Sequence, residues 1–387
     1  MRQSQLFGKT LREAPKDAEA ISHIYLTRGG FIRQLSSGLF SFLPLGFMVL
    51  KKLEQVIREE LNKIGVQEMI MPIIHPAEIW KKTGRYHEIG KELWRLKSQG
   101  GQDLVLSMTH EEAMAEIASK YIQKYADLPL FLNQFQIKLR NEARPRGGLL
   151  RLREFVMQDA YSFDRSEAEF DKTYDKFFKA YQNIFKRLNL KTIPVKADPG
   201  IMGGQESHEF MMPAEIGEDK LNGKNAIELG HTFKLGIKYS KPFDIYFTAK
   251  NGKKELTIMG SYGIGLDRLM AAIVEVHHDK RGIIWPKEAA PFKIHLIEIA
   301  AAKESSIKKQ AERIYKDLVD KNIEVLYDDR DDKTVGEKFA DADLIGIPWR
   351  VVISQKTLEK NSVELKKRNE KTLKLLDIQK FYVESII

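Results

Sequence analysis

Over residues 45–64, apolar side chains recur at helical spacing (Leu45, Met48, Val49, Leu53, Val56, Ile57, Leu61, Ile64), and Gly65 then offers a stop. This spacing predicts a long amphipathic helix, followed by a strand over 66–74 that contains Pro72. Such a helix serves core packing or a dimer interface. Between 104 and 163 the pattern is mainly strands, with an intervening helix opened by Thr109-His110-Glu111-Glu112. Residues 131–140 and 153–163 read as antiparallel neighbours joined by a loop over 143–150 that carries Arg, Gly and Pro. Ser166 and Glu169 form a capping box, which opens a helix whose stripe is Phe170, Tyr174, Phe177, Phe178, Tyr181 and Phe185. That stripe reads as core.

After Pro286 the texture changes. Strand patterns at 293–300, 323–327 and 349–354 alternate with helical patterns at 305–320 and 335–344, as in an α/β domain with parallel pairing. Pro286 and Pro291 lie in a linker over 281–292. The expected architecture is an α+β domain with a mixed, mainly antiparallel sheet over 1–285, followed by an α/β domain over 286–387.

With 43% hydrophobic and 30% charged residues in 387, the chain can bury a substantial core. Lys and Arg exceed Asp and Glu by 63 to 54. The surplus fits a polyanionic partner such as nucleic acid, although a solvated lysine-rich surface gives the same total. Cysteine is absent, which excludes disulfides, thiol nucleophiles and Cys-ligated zinc. Residues 1–20 carry Glu13, Asp17 and Glu19 and no signal-like apolar stretch, and the run at 39–50 is broken by Pro44 and Gly46. A cytoplasmic protein with no membrane partner is expected.

Candidate chemistry lies in two arginine-bearing segments. Arg140-Asn141-Glu142 is followed by Arg153-Glu154-Phe155, and the glycine run at 260–268 ends in Asp267-Arg268. An arginine and a carboxylate two apart on a strand face the same way and can hold a polyphosphate and a purine amino group together. Glycines such as Gly263 and Gly265 admit a ligand against bare backbone, and Arg268 adds a second cation. Gly-x-x-x-x-Gly-Lys-Ser/Thr, an early Gly-x-Gly-x-x-Gly, His-Glu-x-x-His and Gly-x-Ser-x-Gly are all missing. ATP, if bound, sits on an antiparallel sheet.

In this order the segments resemble class II aminoacyl-tRNA synthetases. The helix and strand near Pro72 are similar to motif 1, Arg140 to Phe155 to motif 2, and 260–268 to motif 3. Finer matches resemble the prolyl enzymes of bacterial and mitochondrial type: residues 1–7, Thr109-His110-Glu111-Glu112, Arg144-Pro145-Arg146, Ser207-His208-Glu209-Phe210, 228–236, 282–286 and 336–348. The resemblance covers essentially the whole chain. It implies activation of L-proline by ATP through in-line attack of the carboxylate on the α-phosphorus, then transfer to the 3′-end of proline tRNA, with no covalent enzyme intermediate.

It further implies that Arg140 holds the α-phosphate, Glu142 accepts from the adenine amino group, Phe155 stacks beneath the purine and Arg268 clamps the γ-phosphate. Arg153, Gly263 and Gly265 complete the ATP site, and Glu228 is a partner for Mg2+ on the phosphates; no protein-held metal centre is expected. Thr109 and Glu111 take the proline amine, Arg140 steadies its carboxylate and His208 lines the pocket. A homodimer is implied, as is an anticodon-reading C-terminal domain that uses basic side chains such as Lys333, Lys338 and Arg350.

Departures from the family pattern are Ser261 where cysteine is usual, Asp267 before the arginine, and Leu106-Ser107-Met108 in place of the usual Gly-Pro. The large editing insertion that bacterial relatives often carry is expected to be absent, because Gly217-Glu218-Asp219 reaches Glu228 across the short turn Asn222-Gly223-Lys224-Asn225. A synthetase-like binding protein lacks a reason to keep the whole residue set. Threonyl enzymes depend on a zinc-ligating cysteine.

Overall fold

The computed structural model of the protein describes residues 1–16, 18–300 and 305–383. The chain forms two compact units, one of Met1–Leu35, Phe40–Lys52 and Ile273–Ile387, the other of Ser36–Leu39 and Leu53–Ala272. The predicted amphipathic helix is α1 (Pro44–Asn62), with proline in its first turn and Gly65 at φ +81 just beyond its end. No helix among the described residues is long and apolar enough to cross a membrane.

The second unit is built on an eight-stranded sheet. Its strands in chain order are β1 (Gln67–Glu68), β2 (Leu130–Leu139), β3 (Glu154–Asp164), β4 (Ile193–Ala197), β5 (Glu206–Pro213), β6 (Asp219–Leu221), β7 (Lys224–Gly236) and β8 (Ile258–Gly265). They lie in the order β1-β2-β3-β8-β7-β5-β4, with β6 paired to β7, and only β1 and β2 are parallel. The sheet is therefore mixed and mainly antiparallel, as expected.

The strand expected over 66–74 is reduced to β1. Pro72 has no N–H for a ladder, and side-chain amides bind the backbone instead: Gln134 accepts from the Met71 N–H at 3.0 Å and Gln136 donates to the Met71 carbonyl at 2.6 Å. Between β6 and β7, Asn222 and Gly223 both have positive φ, +49 and +80, as a two-residue hairpin turn demands. The chain thus crosses this point with no room for an inserted domain.

Helix α2 (Glu111–Tyr121) begins at the Thr-His-Glu-Glu segment. Helix α3 (Glu167–Arg187) is capped by Ser166, whose hydroxyl accepts from the Glu169 N–H, but Glu169 turns to Arg165 rather than closing the reciprocal bond. Its aromatic stripe covers one sheet face: Phe177 stacks on Tyr262 at 3.8 Å between ring centroids, and Tyr181 donates to Gln158. Alternation along the strands then directs Met157, Asp159, Ser261, Gly263, His231 and Phe233 to the other face, where they line a cavity. Helix α4 (Leu266–Val276) continues directly from β8.

In the first unit the sheet β9 (Ile294–Ile299), β10 (Val325–Asp328), β11 (Trp349–Ser354), β12 (Ser362–Lys367) and β13 (Leu373–Asp377) has the order β10-β9-β11-β12-β13. Helices α5 (Ser305–Asp320) and α6 (Val335–Ile345) make the crossovers that its parallel strands β10, β9 and β11 require. Pairing is not parallel throughout, because β12 and β13 add antiparallel hairpin strands. The N-terminus belongs here: the Met1 amine donates to the Val325 carbonyl at 2.8 Å and Arg2 bonds Asp329 and Glu312. Lys338 is buried, donating to the Glu298 carbonyl at 2.8 Å, and Arg350 lies over Phe339, so these two cations hold the fold.

Candidate active site

Strand β2 ends at Leu139, although the Arg140 N–H still donates to the Arg153 carbonyl at 2.8 Å. The Glu142 N–H then turns back to the Arg140 carbonyl at 2.7 Å, so strand alternation does not govern these two side chains. The Arg140 guanidinium lies 5.1 Å from the centre of the Phe155 ring, and its Nε is buried with no hydrogen-bond partner among the described residues. Burial and the nearby Arg268 charge lower its pKa. Glu142 is held by Arg151 at 2.8 Å and by the Arg144 N–H at 3.0 Å; these bonds outweigh its burial and keep it ionised.

Facing this wall is the turn from β8 into α4. Gly263 and Gly265 are absent from the positive-φ glycines, and a Cβ on either would meet only ordinary contacts, Met157 Sδ at 3.6 Å and Arg268 Cβ at 3.8 Å. Neither backbone nor packing requires glycine there. A side chain would instead occupy the cavity. Arg268 donates to the Leu150 and Glu228 carbonyls, each at 3.1 Å, and pairs with the Glu228 carboxylate at 3.3 Å. Burial opposes ionisation of Glu228, but His231 at 3.0 Å together with Arg268 and Arg140 holds its pKa at about 2.

At the other end of the cavity Glu111 is buried between two hydroxyls. Thr109 Oγ1 donates to one carboxylate oxygen and Ser261 Oγ to the other, the latter at 2.9 Å. The buried Arg85 guanidinium lies 3.7 Å from Glu111 and binds Glu112 at 3.0 Å through both oxygens. Behind them, His110 and His75 both donate to the Pro72 carbonyl, at 3.0 and 2.9 Å, while the other ring nitrogens accept from Lys138 and Trp80. Burial pushes His110 down to about 2 and His75 to about 4, so both rings stay neutral in these roles. Lys138 also binds Asp159 at 2.6 Å, which connects the Pro72 segment to the cavity wall.

These walls enclose about 470 Å³. The cavity brings together Thr109, Glu111, Arg140, Glu142, Phe155, Glu228, Gly263, Gly265 and Arg268. Two predicted site residues are not among its lining. Arg153 spends its guanidinium on the Glu142 and Ser37 carbonyls, both at 3.0 Å, as a brace for the loop. His208 lies on the helix-covered face of β5, with Nδ1 on the Tyr174 hydroxyl at 2.8 Å and its ring against Phe178. The parity of β5 sends Glu209 to the cavity side instead, directly opposite His231 in register. Glu209, Glu228 and His231 offer ligand atoms within 4.8 Å of one another. Two carboxylates crowded together fit a hard divalent cation, and burial and the Glu228 charge raise the pKa of Glu209.

Sequence reasoning missed Arg85, Glu112 and the Glu209–His231 pair. Arg85 sits in a four-residue helix after Gly84 and has no periodic signal. The Glu209–His231 pair is visible only once strand register is known.

A family model for the tRNA synthetase class II core domain (G, H, P, S and T) matches residues 94–277, and an anticodon binding domain model matches 293–384. The fold is thus that of a class II synthetase. The chain is 40% identical over 420 residues to the proline–tRNA ligase of Wolbachia sp. subsp. Drosophila simulans (strain wRi), covering 98% of each. It is 35% identical to the proline–tRNA ligase of Thermodesulfovibrio yellowstonii, over 565 positions that cover 100% of this chain and 99% of the relative. The chain belongs to the proline–tRNA ligase family. Its fold matches the Giardia lamblia prolyl-tRNA synthetase solved in complex with prolyl-adenylate, with a TM-score of 0.84 at 22% identity over 93% of this chain and 75% of that one. The 565 aligned positions, against 387 residues here, leave a large block of the Thermodesulfovibrio protein without a counterpart.

Proposed function

We propose that the protein is a proline–tRNA ligase whose activation chemistry takes place in the cavity between β3, β8 and α2. The observation that carries the site assignment is the pair of cations at one cavity: Arg140, half-buried over Phe155 with an Nε that has no hydrogen-bond partner among the described residues, and Arg268, fixed at the start of α4. Adenine lies against Phe155, with Glu142 accepting from its amino group. Arg140 binds the α-phosphate and Arg268 the γ-phosphate, so the nucleotide is bent between them.

Proline enters beside Glu111, which is oriented by the Thr109 and Ser261 hydroxyls and takes the cationic amine. One proline carboxylate oxygen attacks the α-phosphorus as the bond to the bridging oxygen breaks, and pyrophosphate leaves with that electron pair. No general base is needed, because the carboxylate is already ionised. The 3′-terminal hydroxyl of proline tRNA then attacks the prolyl carbonyl, the bond from that carbon to the phosphate oxygen breaks, and AMP departs with its electron pair as the hydroxyl proton is released. Glu228 and Glu209 would hold a Mg2+ ion, which would supply positive charge against the phosphates. Residues 1–285 are the activation domain and 286–387 the anticodon domain, in a homodimer that works in the cytoplasm. Purified protein with Mg2+ is expected to exchange labelled pyrophosphate into ATP only when proline is supplied. Exchange driven by another amino acid, or none at all in a folded sample, sinks this reading.

Fidelity follows from the tight β6–β7 turn. A site shaped for proline rejects a substrate by only ~1–3 kcal/mol per missing methylene, and hydrolytic correction needs a second site. The protein is expected to form alanyl-tRNA on proline tRNA at a measurable rate and to leave preformed alanyl-tRNA intact. Rapid deacylation of that product by the purified chain would falsify this.

A further inference from the structure

We propose that Asp267 is a positioning residue that sets the separation of the two ATP-site walls, Phe155 on β3 and Arg268 on α4. The inference rests on the assignment of those two residues to ATP. Strand β8 leaves the sheet where its chain becomes α4, and the last ladder pair is Gly265 with Met157. The next backbone position on β3, Val156, therefore has no strand partner on that side. Asp267 supplies one: its Oδ2 accepts the Val156 N–H at 2.8 Å. Val156 directly follows Phe155 and Asp267 directly precedes Arg268, so one hydrogen bond ties the two ligand-facing residues across the break in the ladder.

The cost of this arrangement points to more than a patched strand end. Asp267 is only 2% exposed and lines the cavity, and Glu154 is the one neighbouring charge that bears on it appreciably. The N–H groups of Val156 and of Asp267 itself favour its ionised form, but burial outweighs them and pushes its pKa up to about 7, so the charge is costly to keep where a neutral acceptor would serve. Partial compensation comes from its place in the first turn of α4, where the helix dipole favours negative charge. The same turn carries Arg268, so a movement of one displaces the other. Ser261 makes the matching tie from β8 to Glu111 on the amino-acid side. The two departures in the glycine run therefore fasten opposite ends of the cavity.

Steady-state pyrophosphate exchange with Asp267→Ala is expected to show about a tenfold higher KM for ATP, with the KM for proline changed by less than about twofold. Asp267→Asn keeps the volume and an acceptor oxygen, so its KM for ATP is expected within about threefold of the unmodified protein; Asp267→Leu, which fills the space without an acceptor and is expected to match alanine, carries the test if the alanine variant does not fold. Equal rises in both KM values, no change on removing the acceptor, or an asparagine variant as impaired as alanine overturns the proposal. Phe155→Ala runs alongside. Sensitivity to Phe155 without sensitivity to Asp267 condemns the proposal alone, whereas indifference to both condemns the ATP-site assignment with it.

Discussion

Arg140→Ala is expected to lower the kcat of proline-dependent pyrophosphate exchange by about 1,000-fold, the upper end for loss of one preorganised group that meets developing charge, or ~4 kcal/mol. The same change is expected to leave the thermal midpoint unchanged or slightly higher. Both expectations come from one observation: the guanidinium is held over Phe155 with a buried Nε that bonds nothing, beside a like charge on Arg268 that helps to depress its pKa. A cation left in that condition costs the empty protein free energy and repays it only when an anion arrives. Arg140→Lys keeps the charge but cannot present a planar fork to a phosphate, so only partial recovery is expected. Calorimetric melts alongside exchange kinetics test the pair of statements. A fall in the midpoint that parallels the loss of activity would make Arg140 a structural residue, and activity within tenfold of the unmodified protein would remove it from the phosphate site.

What the sequence made legible, and what it hid, divides along strand parity and burial. Periodicity located α1, α5 and β11 closely, since each is a continuous pattern with a clear stop. The aromatic stripe of α3 was readable as core because a helix buries one face whatever its partner. Parity is different: which face of β5 a residue meets depends on where α3 docks, and nothing local to residues 206–213 encodes that. His208, expected to line the pocket, consequently lies against Tyr174, while Glu209 turns toward His231. Arg140 and Glu142 reached the cavity for a reason other than the alternation that singled them out, because β2 ends at Leu139. Arg85 could not be found at all. Its function comes from a non-periodic turn that tertiary contacts bury beside Glu111 and Glu112.

Glu111→Gln is expected to raise the KM for proline at least about 30-fold, the lower bound for removing one partner of a buried, hydrogen-bonded charge pair at ~2–5 kcal/mol, while the KM for ATP stays within about threefold. Glu111 is 1% exposed, and both of its oxygens accept from hydroxyls, Thr109 on one side and Ser261 on the other. A glutamine keeps the shape, and its NH2 group can donate to one of those hydroxyls once that O–H turns away, but it offers no charge to an ammonium. The fold is expected to survive, because Arg85 keeps its bonds to Glu112 at 3.0 Å and loses only the weaker approach to Glu111 at 3.7 Å. The decisive comparison uses cyclopentanecarboxylate, which has the ring and carboxylate of proline without the amine. Inhibition of exchange by this analogue should be nearly the same in the glutamine variant and the unmodified protein, while the preference for proline over it collapses. If proline and the analogue weaken together, Glu111 shapes the cavity without binding the amine, and the acceptor must be sought elsewhere on its wall, where Asp159 is another carboxylate.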